Sequence, residues 1–464
     1  MKRILSLLMA IVMFSMCLGL VACGGNQQIL IDGENLAEYT VVIPKDCDKV
    51  TQYAAENFVF LVKDYLGINL NVVTDDATPV EKEILIGETN RDESKTSTEL
   101  KDGEYLLFIK NKKIVMKGYG IYVGGACGDF VNKHIKPIYK ENKNKIKVKT
   151  LSEEPVACKF AFAEKPTSVI FMIGDGMGEN HIKMAERLIR VMPEPFIGRS
   201  FPHQGQAITA SLSVLNGDAA FTDSAASATA LSTGYKTLNR RVGMDENEQS
   251  LLNVRELARS KGAKTAVITT DLLTGATPSG FLCHYPDRDA PVELQAQIDA
   301  LVEKGEVDYV KGDIPHLRLS PTNSITVELK TALETISKDG SSFFVMAEEG
   351  YIDKYSHDGE ELNVMYSVVR FNDAIIYAVE FALCHPETAL IVTADHETGG
   401  LTEDAQEAAG FKFTSRDHTN ADVPVYAIGA GTQIFNGKKV DNTEIAKFVA
   451  SAYSSEPFGN QTGY

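Results

Sequence analysis

Cysteine is scarce in this chain and is nowhere arranged as a framework. Of seven cysteines, Cys17 lies in an apolar N-terminal segment and Cys23 just after it. The other five, Cys47, Cys127, Cys158, Cys283 and Cys384, are odd in number and scattered. That excludes a small disulfide-stapled scaffold, and none has the spacing of a zinc-binding cysteine pair. A Cys47–Cys127 disulfide stays open. Positive charge is also short: 46 Lys and Arg stand against 63 Asp and Glu, a formal charge of −17. Without Lys2 and Arg3 the balance is 44 against 63, or −19. Such a field excludes nucleic acid as a bulk electrostatic partner. It also means that an anionic ligand must be held by local positive charge.

The longest apolar run lies at the start. Residues 1–22 carry Lys2-Arg3, an apolar core and then Leu20-Val21-Ala22, with Cys23 following. The run is too short, and its flanks are wrong, for a permanent transmembrane helix, and it reads as a secretory signal. Leu-Val-Ala-Cys resembles a bacterial lipobox. The resemblance implies lipidation at Cys23 and a place on the extracytoplasmic face of the cell membrane.

The remainder divides in two. Residues 23–150 read as a small α+β domain: a strand Tyr39–Pro44, an amphipathic helix over 50–66, strands at 70–74 and 83–87, a hairpin about Asn111-Lys112 and a helix from about 121 to 138. The polar stretch Lys140–Pro155 reads as a linker. The pattern I-P-x-D, then the helix, V-V-T-D-D-A and E-I-L-I-G-E-T-N-R resembles a non-catalytic N-terminal domain found beside some bacterial glycosidases. This leaves two readings open, contact with cell-wall glycan or a plain spacer.

Residues 151–464 carry the chemistry. Apolar strand-length runs at 167–173, 342–347 and 389–394 each end in acidic residues: Asp175 within Gly-Asp-Gly-Met-Gly, Glu348-Glu349 followed by Asp353 and His357, and Asp395-His396. Asp417-His418-Thr419 precedes a fourth apolar run. Open α/β sheets place their sites at the carboxyl ends of strands. Asp353 and His357 are four apart and share one helix face. Carboxylate with imidazole suits a borderline divalent cation, zinc above all. Two further segments fit an anion. Thr222-Asp223-Ser224-Ala225-Ala226 reads as a helix start, with Asp223 as N-cap and Ser224 in the first turn. Downstream, Thr277 offers a hydroxyl and Arg288 a guanidinium fork that matches two phosphate oxygens.

The set G-D-G-M-G, T-D-S-A-A-S-A-T-A, A-T-P…R, E-x-x-x-x-D-x-x-x-H, T-A-D-H and H-T, in that order over about 167–430, resembles the alkaline phosphatase family. The resemblance implies an α/β sandwich with a central, mostly parallel sheet flanked by helices. It implies Ser224 as the nucleophile that becomes phosphoserine and Arg288 as the phosphate clamp. One zinc ion falls to Asp353, His357 and His418. A second falls to Asp175, Asp395 and His396, with Ser224 bound to it. A third cation, usually magnesium, falls to Asp175, Thr277 and Glu348. Glu348 rather than Glu349 has the family's spacing to Asp353, which leaves Glu349 as a supporting or solvent-facing carboxylate. Gly275 stands where relatives often carry Asp or His beside the third cation. Lys354 is expected to reach phosphate through water.

Small phosphomonoesters are the expected substrates. A sulfatase needs C/S-x-P-S-R, which is absent. Diesterases of the superfamily commonly use a threonine nucleophile and lack the Arg288-type clamp. A decayed, purely binding lipoprotein would be expected to have lost ligands, and here the set is complete. The intervals from Arg288 to Glu348 and from His396 to His418 are short, leaving little room for a large dimer-forming subdomain, and monomer and dimer both stay open.

Overall fold

The computed structural model describes residues 29–140, 147–188, 192, 195–316 and 324–461. The expected signal segment and Cys23 lie outside the described residues.

Apolar strands buried on both faces build the larger sheet. Ser168–Gly174, Phe343–Glu349, Thr388–Thr393 and Val423–Gly429 have no exposed residue along their length, as expected where helices cover both faces. In space the eight strands run Tyr309–Lys311, Lys264–Thr269, Phe343–Glu349, Ser168–Gly174, Thr388–Thr393, Val423–Gly429, His203–Ile208 and Lys439–Asp441. The first five are mutually parallel. Val423–Gly429 is antiparallel to both its neighbours. Its amino end therefore lies at the same edge as the carboxyl ends of the parallel strands. That reversal carries His418 to the edge where Asp175, Glu348 and Asp395 emerge.

The N-terminal segment forms a six-stranded sheet and a three-stranded one. In the hairpin, Lys110 pairs with Lys113, and Asn111 and Lys112 both take positive φ, 50° and 62°, the two-residue turn that matches strand twist. The stretch read as a linker is partly structured. Lys147–Lys149 pairs in parallel with Ile29–Ile31, and Cys158–Lys159 pairs with Glu104–Tyr105. Backbone pairing to the N-terminal strands thus persists to Lys159, beyond the boundary that polarity suggests.

The N-terminal helix Lys49–Leu66 lies against the long helix Glu361–Cys384 of the larger unit. Tyr53 donates to both oxygens of Asp373 at 3.0 and 2.9 Å, and Lys330 pairs with Glu56 at 2.6 Å. Cys47, Cys127, Cys158, Cys283 and Cys384 are all free thiols, so Cys47 and Cys127 are not joined. No helix among the described residues is long and apolar enough to cross a membrane.

Candidate active site

Asp223 caps the helix Ser224–Thr233, its Oδ1 accepting from the Ala226 amide at 3.0 Å. The cap satisfies one of the free amides of the first turn and leaves Ser224 at the positive end of the helix. The whole helix is buried, and its small residues let it lie close to its neighbours. Ser227 Oγ donates to the Asp395 carbonyl at 2.6 Å and ties the helix to the end of a sheet strand. Tight packing and site placement are therefore one arrangement. Ser224 Oγ lies 3.1 Å from His396 Nε2.

Asp223 has a second role. Its Oδ2 accepts from Arg288 Nη1 at 3.3 Å and from the Arg240 amide at 3.0 Å. The capping carboxylate thus holds the guanidinium over the helix start. Arg240 itself turns away, bridging Asp287 and Asp289 at 2.7 Å each.

The carboxylates and imidazoles converge as the motif order implies. Ligand atoms of Asp353, His357 and His418 lie within 4.8 Å of one another, and so do those of Asp175, Asp353 and His396. Asp395 lies against the second group, its Oδ2 3.1 Å from His396 Nε2. Its Oδ1 accepts from the amides of Gly176 and His396 at 3.0 and 2.9 Å, which fixes the carboxylate. Gly176 is required where it stands. It has φ 73°, and a Cβ there would fall 2.7 Å from Thr398 Oγ1 and 2.9 Å from Asp353 Cβ. Thr398 also donates to Asp353 Oδ1.

Two imidazoles face each other. His357 Nδ1 meets the Arg416 carbonyl, and His418 Nδ1 meets the Thr222 carbonyl at 2.8 Å. Both Nδ1 atoms must carry hydrogen to bond a carbonyl, which leaves the Nε2 atoms opposed at 3.2 Å. With only lone pairs between them the contact is repulsive. A proton or a cation relieves it.

The electrostatics report the same crowding. The Asp353 hydrogen bond lifts His357 to about 9 against the opposing effect of burial. Burial pushes Asp353 up, but the three imidazoles, His357 first, outweigh it and hold the carboxyl well below its usual range. Burial, then the neighbouring Asp395, raises Asp175. Burial raises Asp395 to about 6. Burial, then Asp271, lifts Glu348 to about 8. Burial, then His418, depresses His396. Burial and mutual repulsion thus raise Asp175, Asp395 and Glu348, a pattern that added positive charge would relieve.

Some of the buried polar atoms without a hydrogen-bond partner lie in the same place. Asp175 Oδ1, Asp395 Oδ2 and Thr277 Oγ1 are buried without a hydrogen-bond partner. Thr277 is near enough to act on the Glu348 carboxylate, yet makes no bond of good geometry. Glu348 instead accepts from Thr269 Oγ1. Carboxylate and imidazole donors around His357, His418 and His396 suit zinc, and the all-oxygen set Asp175, Thr277 and Glu348 suits magnesium.

Other polar residues of this region have partners of their own. Glu349 does not face solvent. It is 0% exposed, and Arg370 Nη2 reaches it at 3.2 Å. Lys354 forms an ion pair with Asp271, a residue that the motifs do not mark. The only sequence signal for Asp271 was its place just past the strand Lys264–Thr269. His284 is bound to the Gly243 carbonyl and Glu256, both at 2.8 Å, and does not join the cluster. His181 is structural. Its Nδ1 accepts from the Gly178 amide at 3.2 Å and its Nε2 meets Ser356 Oγ at 3.1 Å.

Comparison with known proteins gives the same reading. The profile described as alkaline phosphatase matches residues 167–320 and 316–413. Alkaline phosphatase 4 of Bacillus subtilis is 28% identical over 287 residues, covering 51% of this chain and 62% of that protein, less than two thirds of its length. Alkaline phosphatase 3 of the same organism is 25% identical over 419 residues, covering 61% of this chain and 88% of that protein. The solved alkaline phosphatase of the Antarctic bacterium TAB5 superposes with a TM-score of 0.57 at 25% identity, over 63% of this chain and 100% of that one. With more than half of its residues under the family profile, and its motif residues gathered at one sheet edge, the chain belongs to the alkaline phosphatase family.

Proposed function

We propose that the protein is a divalent-cation-dependent phosphomonoesterase that transfers the phosphoryl group to Ser224 and then to water. The observation that carries this is the placement of Ser224 Oγ, 3.1 Å from His396 Nε2, a member of one of two groups of cation donors, at the start of a helix whose cap, Asp223, binds the Arg288 guanidinium.

The donor chemistry fits two zinc ions, one on Asp353, His357 and His418 and one on Asp175, Asp395 and His396. The oxygen-only set of Asp175, Thr277 and Glu348 fits magnesium. Divalent cations bound there supply the positive charge that lowers the Ser224 pKa, activates water and offsets charge on the leaving oxygen. Ser224 Oγ forms the bond to phosphorus as the ester oxygen leaves with its electron pair, and the departing alcohol takes up the proton that Ser224 gives up. Water then attacks the phosphoserine, restoring the Ser224 hydroxyl and releasing phosphate. Arg288, steered by Asp223, and the amides of the first helical turn receive the phosphate oxygens. Such a site reads the phosphate group and little of the alcohol, so broad monoester specificity and an alkaline optimum follow.

Residues 1–22 and Cys23 support export and lipid anchoring on the outer face of the membrane. The docking of Tyr53 on Asp373 supports the N-terminal domain as a fixed spacer between anchor and site, and glycan contact stays open beside it.

The deciding experiment is turnover of an aryl phosphate by the soluble form that begins after Cys23. We expect loss of activity with chelator, recovery with zinc, and no recovery in Ser224→Ala. Activity that ignores chelation, or survives in Ser224→Ala, overturns the proposal.

A further inference from the structure

The glycine at 275 looks like a missing neighbour of the third cation. Around it, the space is already taken. A Cβ at Gly275 would fall 2.6 Å from Asp271 Oδ2 and 3.0 Å from the Leu272 carbonyl. On the other side, a Cβ at Gly350 would fall 3.1 Å from Asp271 Cβ and 3.7 Å from Glu348 Cδ. Two glycines thus leave room for one aspartate. Asp271 is fixed there from two directions. Its amide donates to Thr269 Oγ1 at 2.8 Å. The same Thr269 hydroxyl donates to Glu348. The Oδ1 of Asp271 pairs with Lys354, the residue after Asp353. Two unpartnered buried atoms, Asp175 Oδ1 and Thr277 Oγ1, belong to the same oxygen donor set.

We infer that Asp271 is a positioning residue of the third cation's site, supplying from the end of a neighbouring strand the carboxylate that position 275 does not. The inference rests on the cation-dependent reading above and adds a residue outside the motifs. Lys354 is its counter-ion. It neutralises Asp271 and so tempers the site's hold on a divalent cation. Glycine at 275 then serves as clearance for Asp271.

The test is Mg2+ binding by the zinc-loaded protein, read as metal content after equilibrium dialysis and as the Mg2+ dependence of the thermal midpoint. Asp271→Asn should weaken Mg2+ binding by about 10- to 100-fold, the usual effect of removing a group that supports metal ligands, with zinc content kept. Lys354→Met should act in the opposite direction, tightening Mg2+ binding, because Asp271 loses its counter-charge. The exchange Asp271→Gly with Gly275→Asp should recover most of what Asp271→Gly alone loses. Unchanged Mg2+ binding in Asp271→Asn with zinc retained overturns the inference. If that variant loses its zinc or its cooperative unfolding, Lys354→Met decides. Tighter Mg2+ binding there upholds the role of Asp271, and equal or weaker binding ends it. A wild type that binds no zinc and turns over no aryl phosphate would instead sink the broader function.

Discussion

Asp223 binds the Ala226 amide with one carboxylate oxygen and the Arg288 guanidinium with the other, at 3.0 and 3.3 Å. One side chain thus starts the helix that carries Ser224 and holds the Arg288 guanidinium. Asp223 and Arg288 stand 65 positions apart in sequence.

Removing that carboxylate should act on both functions. Asp223→Ala should cost about 1 kcal/mol of stability through the lost cap, read from urea unfolding, and should also weaken inhibition by inorganic phosphate. Normal phosphate inhibition in a correctly folded Asp223→Ala protein would show that Arg288 needs no such support.

Arg288→Ala should leave folding intact and cost about 2 kcal/mol of phosphate affinity, roughly thirtyfold, as expected for losing a hydrogen bond to a charged group. The measurement is the inhibition constant of phosphate together with KM. Arg288→Lys should recover only part, since a point charge lacks the fork.

Ser224→Ala should lower turnover by at least about a thousandfold, in line with the removal of a nucleophile. Acid quenching with labelled phosphate should trap label on the wild type and none on the variant. Label retained in Ser224→Ala would place the covalent step elsewhere.

Cation binding should strengthen as pH rises toward about 9. His357 is lifted to about 9 in the metal-free protein, chiefly by Asp353. Below that value a proton occupies the place a cation must take, so binding releases a proton and weakens as pH falls. Stability of the metal-free form has the opposite sign. A raised folded-state pKa contributes fully below the ordinary histidine value and is lost as pH climbs through about 9. Zinc titrations in two buffers of different ionisation heat give the proton count, and zero protons released at pH 7.5 would contradict it.

Arg370→Ala should be among the most damaging substitutions away from the donor atoms. Glu349 and Arg370 are 0% and 4% exposed, and the variant strands a buried carboxylate. The expected loss is about 3–5 kcal/mol, measured by urea unfolding.

The linear order of residues already determined much of the site. Apolar strand-length runs ending in Asp175, Glu348 and Asp395 are visible without a fold, because a strand buried on both faces has only its end free for chemistry. Asp353 and His357 are paired by helical spacing, and Asp223 is legible as a cap beside Ser224. The same local logic located the hairpin at Asn111-Lys112. These are short-range consequences of backbone geometry.

Other features depend on how the strands are ordered. The reversed direction of Val423–Gly429 brings His418 to the edge where Asp175, Glu348 and Asp395 emerge, and no local pattern encodes that direction. The neighbouring places of Lys264–Thr269 and Phe343–Glu349 set Asp271 beside Glu348 and Lys354, although Asp271 is 77 residues from Glu348 along the chain. The burial of Glu349 on Arg370 depends on where the helix Glu361–Cys384 lies. Sequence periodicity decides which face of an element is apolar and which residue ends it. Which other end stands opposite is decided by packing between distant elements, and that contact turned a vacant-looking Gly275 into the clearance for Asp271.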